Sequence, residues 1–197
     1  MQTDHGFVPD DLVFLVDFLN STYPGTVDHL GSTTLFAAWL AGHDRPGRVT
    51  ADQLVTARTV RDGLRAAAVR NAGGATDDSV LAAGDRAISR VGVQVSRIDG
   101  EPALRARGSG TDAVLGEIAV ALAGARLTAR WPRVKACTGG ECGFVFWDGS
   151  RNASRRWCDM QRCGSRHKMR SYRARSAPSP VGPRRPGSQS RDHARSN

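Results

Sequence analysis

The sequence lacks any apolar run long enough to span a lipid bilayer. Its longest apolar stretch, around Ala113 to Ala125, is interrupted by Glu117 and falls short of the roughly 20 residues that a spanning helix needs. The N-terminal segment carries Asp4, Asp10 and Asp11 where a secretory signal would begin with basic residues. We therefore expect a soluble, cytoplasmic protein that is neither exported nor inserted into a membrane.

The familiar signatures of enzymes are also absent from the sequence. The chain has no phosphate-binding loop, no nucleophile motif and no HExxH pattern. Four polar residues allow a catalytic or metal-binding interpretation: Asp17, Asn20, Asp28 and His29. Because such residues are commonplace at helix ends and in loops, we interpret them as structural and predict that the protein is not an enzyme. Turnover that survives deletion of residues 130–197 would revive the enzyme hypothesis.

Cysteine is absent from the first 136 residues, and all four cysteines fall within one 27-residue window. They form two CxxxxC pairs separated by fifteen residues: Cys137, Cys142, Cys158 and Cys163. Two matched pairs predict four thiolate ligands around one tetrahedral ion. We expect zinc in a structural role, although the same ligands also fit iron. Disulfides are disfavoured in a reducing cytoplasm, and thioredoxin-like redox chemistry uses CxxC instead.

Acidic residues are scarce in the last third of the chain. Met1–Ala129 has 12 Lys and Arg against 15 Asp and Glu, a net charge of −3, whereas Arg130–Asn197 has 16 against 4, a net charge of +12. This asymmetry predicts a mildly acidic body with a basic appendage whose partner is a polyanion, such as DNA, RNA or an anionic surface. A merely solvated charged face is the alternative. The predicted nucleic-acid contacts are Arg151, Arg155, Arg156, Arg166, Lys168 and Arg170.

The first 130 residues carry mainly helical patterns. An apolar run over Asp10–Asn20 favours a first helix, and Ser32 is the predicted N-cap of a second. A further helix is expected to start near Thr76. Apolar residues at helical spacing predict one more helix before residue 130, with Thr111 or Asp112 as its cap.

A long helix is predicted in the middle of this region. Thr50 and Gln53 form a capping-box pattern at its start. Its apolar face is formed by Ala57, Val60, Leu64 and Ala67. A neighbouring stripe of three arginines, Arg58, Arg61 and Arg65, is expected at the solvent margin.

Strand and turn patterns follow the helical ones. Asp99 and Gly100 lie between two strand-like segments and supply the positive backbone torsions of a hairpin turn. Pro132 marks a break before the cysteine segment. Phe144–Trp147 is interpreted as a strand packed against the metal site, and Ser165 as the N-cap of a terminal helix. Because this segment is too small for an ordinary core, metal binding is expected to supply much of its folding energy.

From Cys137 onwards the chain resembles the CGNR zinc-finger family, through its CxxxxC knuckle and its FVFWD, SRNASRRWC and CGSR segments. Upstream, VDFLNS at Val16–Ser21 and DHLGSTTLFAAWL at Asp28–Leu40 resemble the ABATE domain that commonly precedes this finger. The resemblance spans most of residues 10–175 and implies a bacterial transcription regulator with a DNA-contacting finger and a sensing N-terminal domain. Ser165 replaces the family's asparagine; serine can cap a helix but lacks the paired donor and acceptor of an amide.

Together these observations predict an α+β protein in three parts. Residues 1–130 form a mainly helical, ABATE-like domain with a β-hairpin, residues 131–176 a CGNR-type four-cysteine zinc finger, and residues 177–197 a disordered basic tail. The predicted function is zinc-supported DNA binding in transcription regulation. A zinc-stabilised RNA-binding or protein-interaction module is the alternative, and sequence-dependent affinity for duplex DNA would separate the two.

Overall fold

A computed structural model describes residues 7–139, 142–165 and 168–169, and this part of the chain contains five α-helices and two antiparallel hairpins. The helices are α1 Asp10–Leu19, α2 Thr33–Ala41, α3 Ala51–Asn71, α4 Asp78–Ile88 and α5 Gly110–Leu127. The strands are β1 Val93–Ile98, β2 Glu101–Ala106, β3 Val134–Ala136 and β4 Val145–Trp147. This mainly helical architecture with a β-hairpin confirms the predicted α+β fold class. The predicted tail, residues 177–197, lies outside the described residues.

Two helix starts are capped as the sequence predicts. The Ser32 hydroxyl accepts a hydrogen bond from the backbone N–H of Leu35 at 3.1 Å, which satisfies one of the free donors of the first turn of α2. At the start of α3 the backbone N–H of Gln53 donates to the Thr50 hydroxyl at 3.2 Å, and the Thr50 N–H donates to the Gln53 amide oxygen at 3.0 Å. This reciprocal pair is a complete capping box.

The predicted starts of α4 and α5 need correction by a few residues. Helix α4 begins at Asp78 with Asp77 as its cap. Helix α5 begins at Gly110 after Ser109, so neither Thr111 nor Asp112 is its cap. The Thr111 hydroxyl instead donates to the Arg48 carbonyl, just before α3, at 3.1 Å. The Asp112 carboxylate accepts from the side-chain amide of Gln53, in α3, at 2.9 Å.

The turn between β1 and β2 matches the sequence prediction. Asp99 and Gly100 both have positive φ angles, +50° and +88°, and Ile98 pairs with Glu101 across the turn. Positive φ at both central residues is the geometry of the two-residue hairpin turns that follow strand twist. Helix α5 packs on this hairpin. None of the described helices is long and apolar enough to cross a membrane.

The second hairpin, β3–β4, completes the hydrophobic core of the helices. Its inward-facing residues Val134, Ala136, Val145 and Trp147 belong to the same buried cluster as the apolar residues of α1 to α5. Strand β3 packs on α3, and β4 packs on α1. The β3–β4 hairpin is therefore joined to the helical part by a shared core.

Of the three α3 arginines predicted at the solvent margin, Arg58 and Arg65 are half-buried, whereas Arg61 is buried, which corrects the prediction for that residue. Arg61 is only 4% exposed and forms an ion pair with Asp28, whose carboxylate oxygen lies 2.5 Å from the guanidinium. The Arg58 guanidinium donates to the Leu30 carbonyl at 2.5 Å. The loop between α1 and α2 covers this face, and the buried Arg61 guanidinium needs an acceptor, which the Asp28 carboxylate supplies.

Helices α3 and α4 cross with their backbones in contact at Gly63 and Gly84. A Cβ atom at Gly63 would lie 2.5 Å from the Gly84 Cα, closer than real Cβ atoms approach. We expect Gly63→Ala to lower the free energy of unfolding by about 1–3 kcal/mol, the usual cost of overpacking, even though alanine is the better helix former. Denaturant unfolding followed by circular dichroism measures this change.

Gly124→Ala in α5 is the matched control, because no other atom lies within 4 Å of the added Cβ. There we expect an unchanged or higher free energy of unfolding, by up to about 1 kcal/mol, from helix propensity alone. Equal effects of the two substitutions would contradict the close approach of α3 and α4.

Candidate metal centre and nucleic-acid interface

The structure brings the four predicted cysteines to one point. Their Sγ atoms all lie within 4.8 Å of one another; Cys142 and Cys158 are 3.6 Å apart, and Cys158 and Cys163 are 3.8 Å apart. A tetrahedral ion with bonds of about 2.3 Å to sulfur separates its ligands by about 3.8 Å, whereas sulfurs in a disulfide are about 2.05 Å apart. The cluster therefore has the geometry of a four-thiolate metal site. Among the described residues, no other group of three or more His, Cys, Asp or Glu meets the same distance criterion.

A tight knuckle presents the first cysteine pair. Cys137 follows β3, and its backbone N–H donates to the Phe144 carbonyl at 2.8 Å, which closes the loop that contains Cys142. Gly139 lies against the site, where an added Cβ would be 2.8 Å from the Cys163 Cβ and 3.2 Å from the Cys137 sulfur. Only a residue without a side chain fits there without moving a ligand.

The second pair is tied to the first by the backbone. The amide N–H and the hydroxyl of Thr138 both donate to the Arg156 carbonyl, each at 3.0 Å. Cys158 precedes a short π-helical turn, Met160–Gly164, and Cys163 lies within that turn. Phe144, Phe146 and Trp157 pack around the four sulfurs and form a small apolar cluster on the outer face of β3–β4.

Ser165 does not have its predicted role as an N-cap. The Asp159 carboxylate accepts a hydrogen bond from the backbone N–H of Arg162 at 2.7 Å, so Asp159 is the cap and the turn begins at Met160. Ser165 already has helical backbone angles, and its hydroxyl lies 3.4 Å from the Met160 carbonyl.

The acidities of the thiols show why the cluster needs a cation. A hydrogen bond from Cys158 lowers the pKa of Cys137 to about 5, so this thiol ionises first. The same hydrogen bond, burial and the charge of Cys137 raise the pKa of Cys158, and burial raises the pKa of Cys163 to about 11. One thiolate thus opposes ionisation of its neighbours. A divalent ion that prefers sulfur, such as Zn²⁺, would let all four ionise together.

A buried ion pair lies beside the metal site and was not predicted from the sequence. Asp148 is completely buried, and its carboxylate accepts from the Lys135 ammonium at 2.8 Å. It also accepts from the hydroxyl of Ser150 at 2.6 Å and from the backbone N–H of Arg155 at 2.8 Å. Burial by itself raises the pKa of Asp148, but these hydrogen bonds together hold it below its ordinary value. Asp148 therefore closes the loop of residues 148–155 as a charged group.

Comparison with protein-family models agrees with this architecture. A model described as "CGNR zinc finger" matches residues 133–176. A model named ABATE, described as "Putative stress-induced transcription regulator", matches residues 13–130, which is more than half of the chain. The chain belongs to the ABATE family. The CGNR finger follows its ABATE domain, as the sequence resemblance indicated, and no curated protein matches the chain.

The predicted nucleic-acid contacts of the CGNR finger fall into three groups. Arg151, Arg156 and Lys168 are exposed. Arg155 is half-buried; its guanidinium donates to the Trp157 carbonyl at 2.9 Å and to the Cys158 carbonyl, and it lies over the Phe146 ring. Arg155 thus holds the segment that carries Cys158. The two remaining predicted contacts, Arg166 and Arg170, lie outside the described residues.

Polar contacts of the ABATE domain hold the finger in place. The Asn20 amide donates to the Val145 carbonyl at 2.7 Å and accepts from the Val145 N–H at 2.8 Å, so it pairs with β4 as a neighbouring strand would. The Arg65 guanidinium donates to the carbonyls of Leu19 and Gly143, and the Asn71 amide bonds to the carbonyls of residues 131 and 134. No local sequence pattern predicts these roles, because each partner is distant along the chain.

Three of the four polar residues that allow a catalytic interpretation, Asp17, Asn20 and Asp28, bond to separate partners. Asn20 pairs with β4, and Asp28 pairs with Arg61. Asp17 lies 3.7 Å from the His43 ring, and burial raises the pKa of this carboxyl. Asn20 thus bonds to the finger, whereas Asp17 and Asp28 have partners within the ABATE domain.

Proposed function

We propose that this protein of the ABATE family is a zinc-containing transcription regulator that binds DNA through its CGNR finger. The observation that carries the proposal is the fixed position of the loop of residues 148–155. The buried Asp148–Lys135 pair holds this loop, which contains exposed Arg151 and is followed directly by exposed Arg156. Guanidinium groups on a rigid support lose little entropy when they bind phosphate, and they release condensed counterions from DNA.

Zinc has a structural part in this proposal. The four cysteines would hold the ion, which neutralises their thiolates and fixes the two halves of the finger. Arg155 holds the second cysteine segment from the inside. We assign direct phosphate contact to Arg151 and Arg156, and we add Lys168, Arg166 and Arg170 from the sequence. Arg155 contributes by positioning.

We further propose that the ABATE domain senses an effector and that the protein acts in the cytoplasm without enzymatic activity. Two observations support a coupling of the domains: the shared hydrophobic core and the bonds from Asn20 and Arg65 to the finger. An effector that shifted α3 would act directly on the Gly143 carbonyl at the cysteine knuckle.

A protein-interaction role is the second candidate. Met160 and Met169 are 50% and 55% exposed on the finger. Flexible, polarizable methionine side chains are frequent on surfaces that bind proteins. RNA is a third class of partner, because the arginines recognise its phosphates equally well.

The test is a salt titration of binding to a pool of random-sequence duplex DNA, followed by fluorescence anisotropy. The variant is Arg151→Gln/Arg156→Gln. If both arginines contact phosphates, the slope of log K against log salt should fall by about 1.8, with weaker affinity for all sequences alike. Zinc chelation should abolish binding.

The matched control is Arg97→Gln/Arg126→Gln, which removes the same charge from exposed positions of the ABATE domain. We expect it to leave the slope unchanged. If neither the finger variant nor the chelator changes the affinity for DNA, a DNA-binding finger is contradicted. Tighter binding to single-stranded RNA than to duplex DNA would favour the RNA alternative. A sequence selected from the pool that competes better than the pool itself would identify a regulator's site.

A further inference from the structure

The ABATE domain has a cleft of about 710 Å³, which is lined by residues between Asp52 and Leu115 and by none of the four cysteines. Its walls are the first turns of α3, the end of α4, the base of the β1–β2 hairpin and the first turn of α5. Pockets for small molecules commonly have volumes of about 300–1,000 Å³ and combine an apolar lining with a few polar groups. This cleft has such a size and lining, with Val55, Ala87 and Leu115 among its apolar residues.

Three arginines reach this cleft: Arg86, Arg90 and Arg107. Within the described part of the chain, none of their guanidinium groups has an ion pair or a side-chain hydrogen bond, whereas Arg45, Arg61 and Arg65 of the same domain are all bonded. A positive charge near the end of α4 is favourable for Arg86. That explanation does not extend to Arg90 and Arg107, which lie beyond the ends of α4 and β2.

Two carboxylates also line the cleft, and both have a local role. Asp52 lies in the first turn of α3 and Asp112 in the first turn of α5, where negative charge stabilises a helix. The Asp112 carboxylate is further occupied by the hydrogen bond from the Gln53 amide at 2.9 Å. The arginines, whose side chains are exposed, outnumber the acids by three to two, so the lining of the cleft carries a net positive charge.

From this geometry we propose that the cleft binds a small organic anion, with one carboxylate, sulfonate or phosphate group on an apolar body. The anionic group is held by Arg90 and Arg107, which offer forked donors that suit planar and tetrahedral oxyanions. The apolar body lies against Val55 and Leu115. The inference deepens the sensing role proposed above, because α3 both lines this cleft and carries the Arg65 contact to the finger.

The probe is 8-anilinonaphthalene-1-sulfonate, a fluorescent molecule with an apolar aromatic body and one sulfonate, titrated into the zinc-loaded full chain. The variant is Arg90→Gln/Arg107→Gln. We expect its Kd for the probe to rise about tenfold, because charge-assisted hydrogen bonds to an anion are roughly twice as strong as neutral ones. N-phenyl-1-naphthylamine, which lacks the sulfonate, should bind the variant and the unmodified protein alike.

The charge-matched control is again Arg97→Gln/Arg126→Gln, whose arginines lie outside the cleft. Ala83→Phe fills the cleft without changing its charge and should weaken both probes. Circular dichroism melting confirms that each variant is folded. An equal loss in the control, an unchanged Kd in the cleft variant, or an equal loss of the neutral probe in that variant would overturn the proposal.

DNA is the competing partner for the same arginines. Weaker binding of duplex DNA by Arg90→Gln/Arg107→Gln, with unchanged sulfonate binding, would assign these residues to nucleic acid and overturn the cleft assignment. Because the probe is measured without DNA, a failure of the proposed DNA binding leaves the result on the cleft intact.

Discussion

Treatment with a strong zinc chelator is expected to unfold the finger from residue 137 to residue 165 and to lower the melting temperature of the ABATE domain. Within the described residues, the outer cluster of the finger contains Phe144, Phe146 and Trp157 besides the cysteines, which is too little apolar surface to fold alone. Apparent zinc-binding free energies of about 10–16 kcal/mol in finger peptides rival the whole stability of a typical domain. The inner face of β3–β4 belongs to the shared core, so the helices should lose packing as well.

Amide NMR spectra and calorimetry measure the two effects separately. Signals from the finger should collapse toward random-coil positions on chelation and return when zinc is restored. Cys158→Ser should show the chelated behaviour without chelator and should not recover with zinc, because one of the four ligands is missing. If chelation leaves the melting temperature of the helices unchanged, the shared core is contradicted. If the finger signals stay intact on chelation, a metal-supported fold is contradicted.

Removal of the Asp148 carboxylate is expected to have the second largest effect. Asp148→Ala leaves the Lys135 ammonium without its counter-charge on a side chain that is only 8% exposed. Breaking a buried pair in this way costs about 3–5 kcal/mol of unfolding free energy. The substitution also frees the hydroxyl of Ser150 and the N–H of Arg155, so the loop that carries Arg151 should lose its fixed shape. Denaturant unfolding and the DNA titration described above measure both consequences.

Asp78→Ala is the matched control for this substitution. Asp78 also forms an ion pair with an arginine, Arg70, but both side chains are exposed, at 88% and 57%. Water already solvates both charges there, so the expected loss is far smaller. Similar losses for the two variants would mean that the Asp148–Lys135 pair is not insulated from solvent as the structure places it.

The features that the sequence predicted well depend on residues close together in the chain. The capping box of Thr50 and Gln53 spans three residues, and the turn at Asp99 and Gly100 needs only the torsions of those two. The cysteine site is the longest case. Its four ligands fall within 27 residues, and their chemistry leaves few other uses for two matched pairs.

Predictions failed where the deciding partner was distant or where neighbouring caps competed. Arg61 has the helical spacing of a surface residue, yet the loop after α1 covers it and supplies the Asp28 carboxylate. Ser165 was predicted to cap the terminal helix, yet its backbone is already helical at the end of the turn that Asp159 caps. Local pattern does not distinguish such cases.

The sequence by itself determined the helical periodicity, the first hairpin, the four-thiolate ligand set and the basic character of the C-terminal region, because each follows from short-range spacing or from composition. Only the tertiary structure decided that the finger shares the core of the helices and that Asn20 pairs with Val145, 125 residues away. It also decided that the Arg155 guanidinium bonds to the backbone of the finger and that three arginines line one cleft. Burial and the pairing of distant polar groups depend on tertiary packing. Buried donors and acceptors must find partners within the protein, and these partners are distant in sequence, so a local pattern does not predict them.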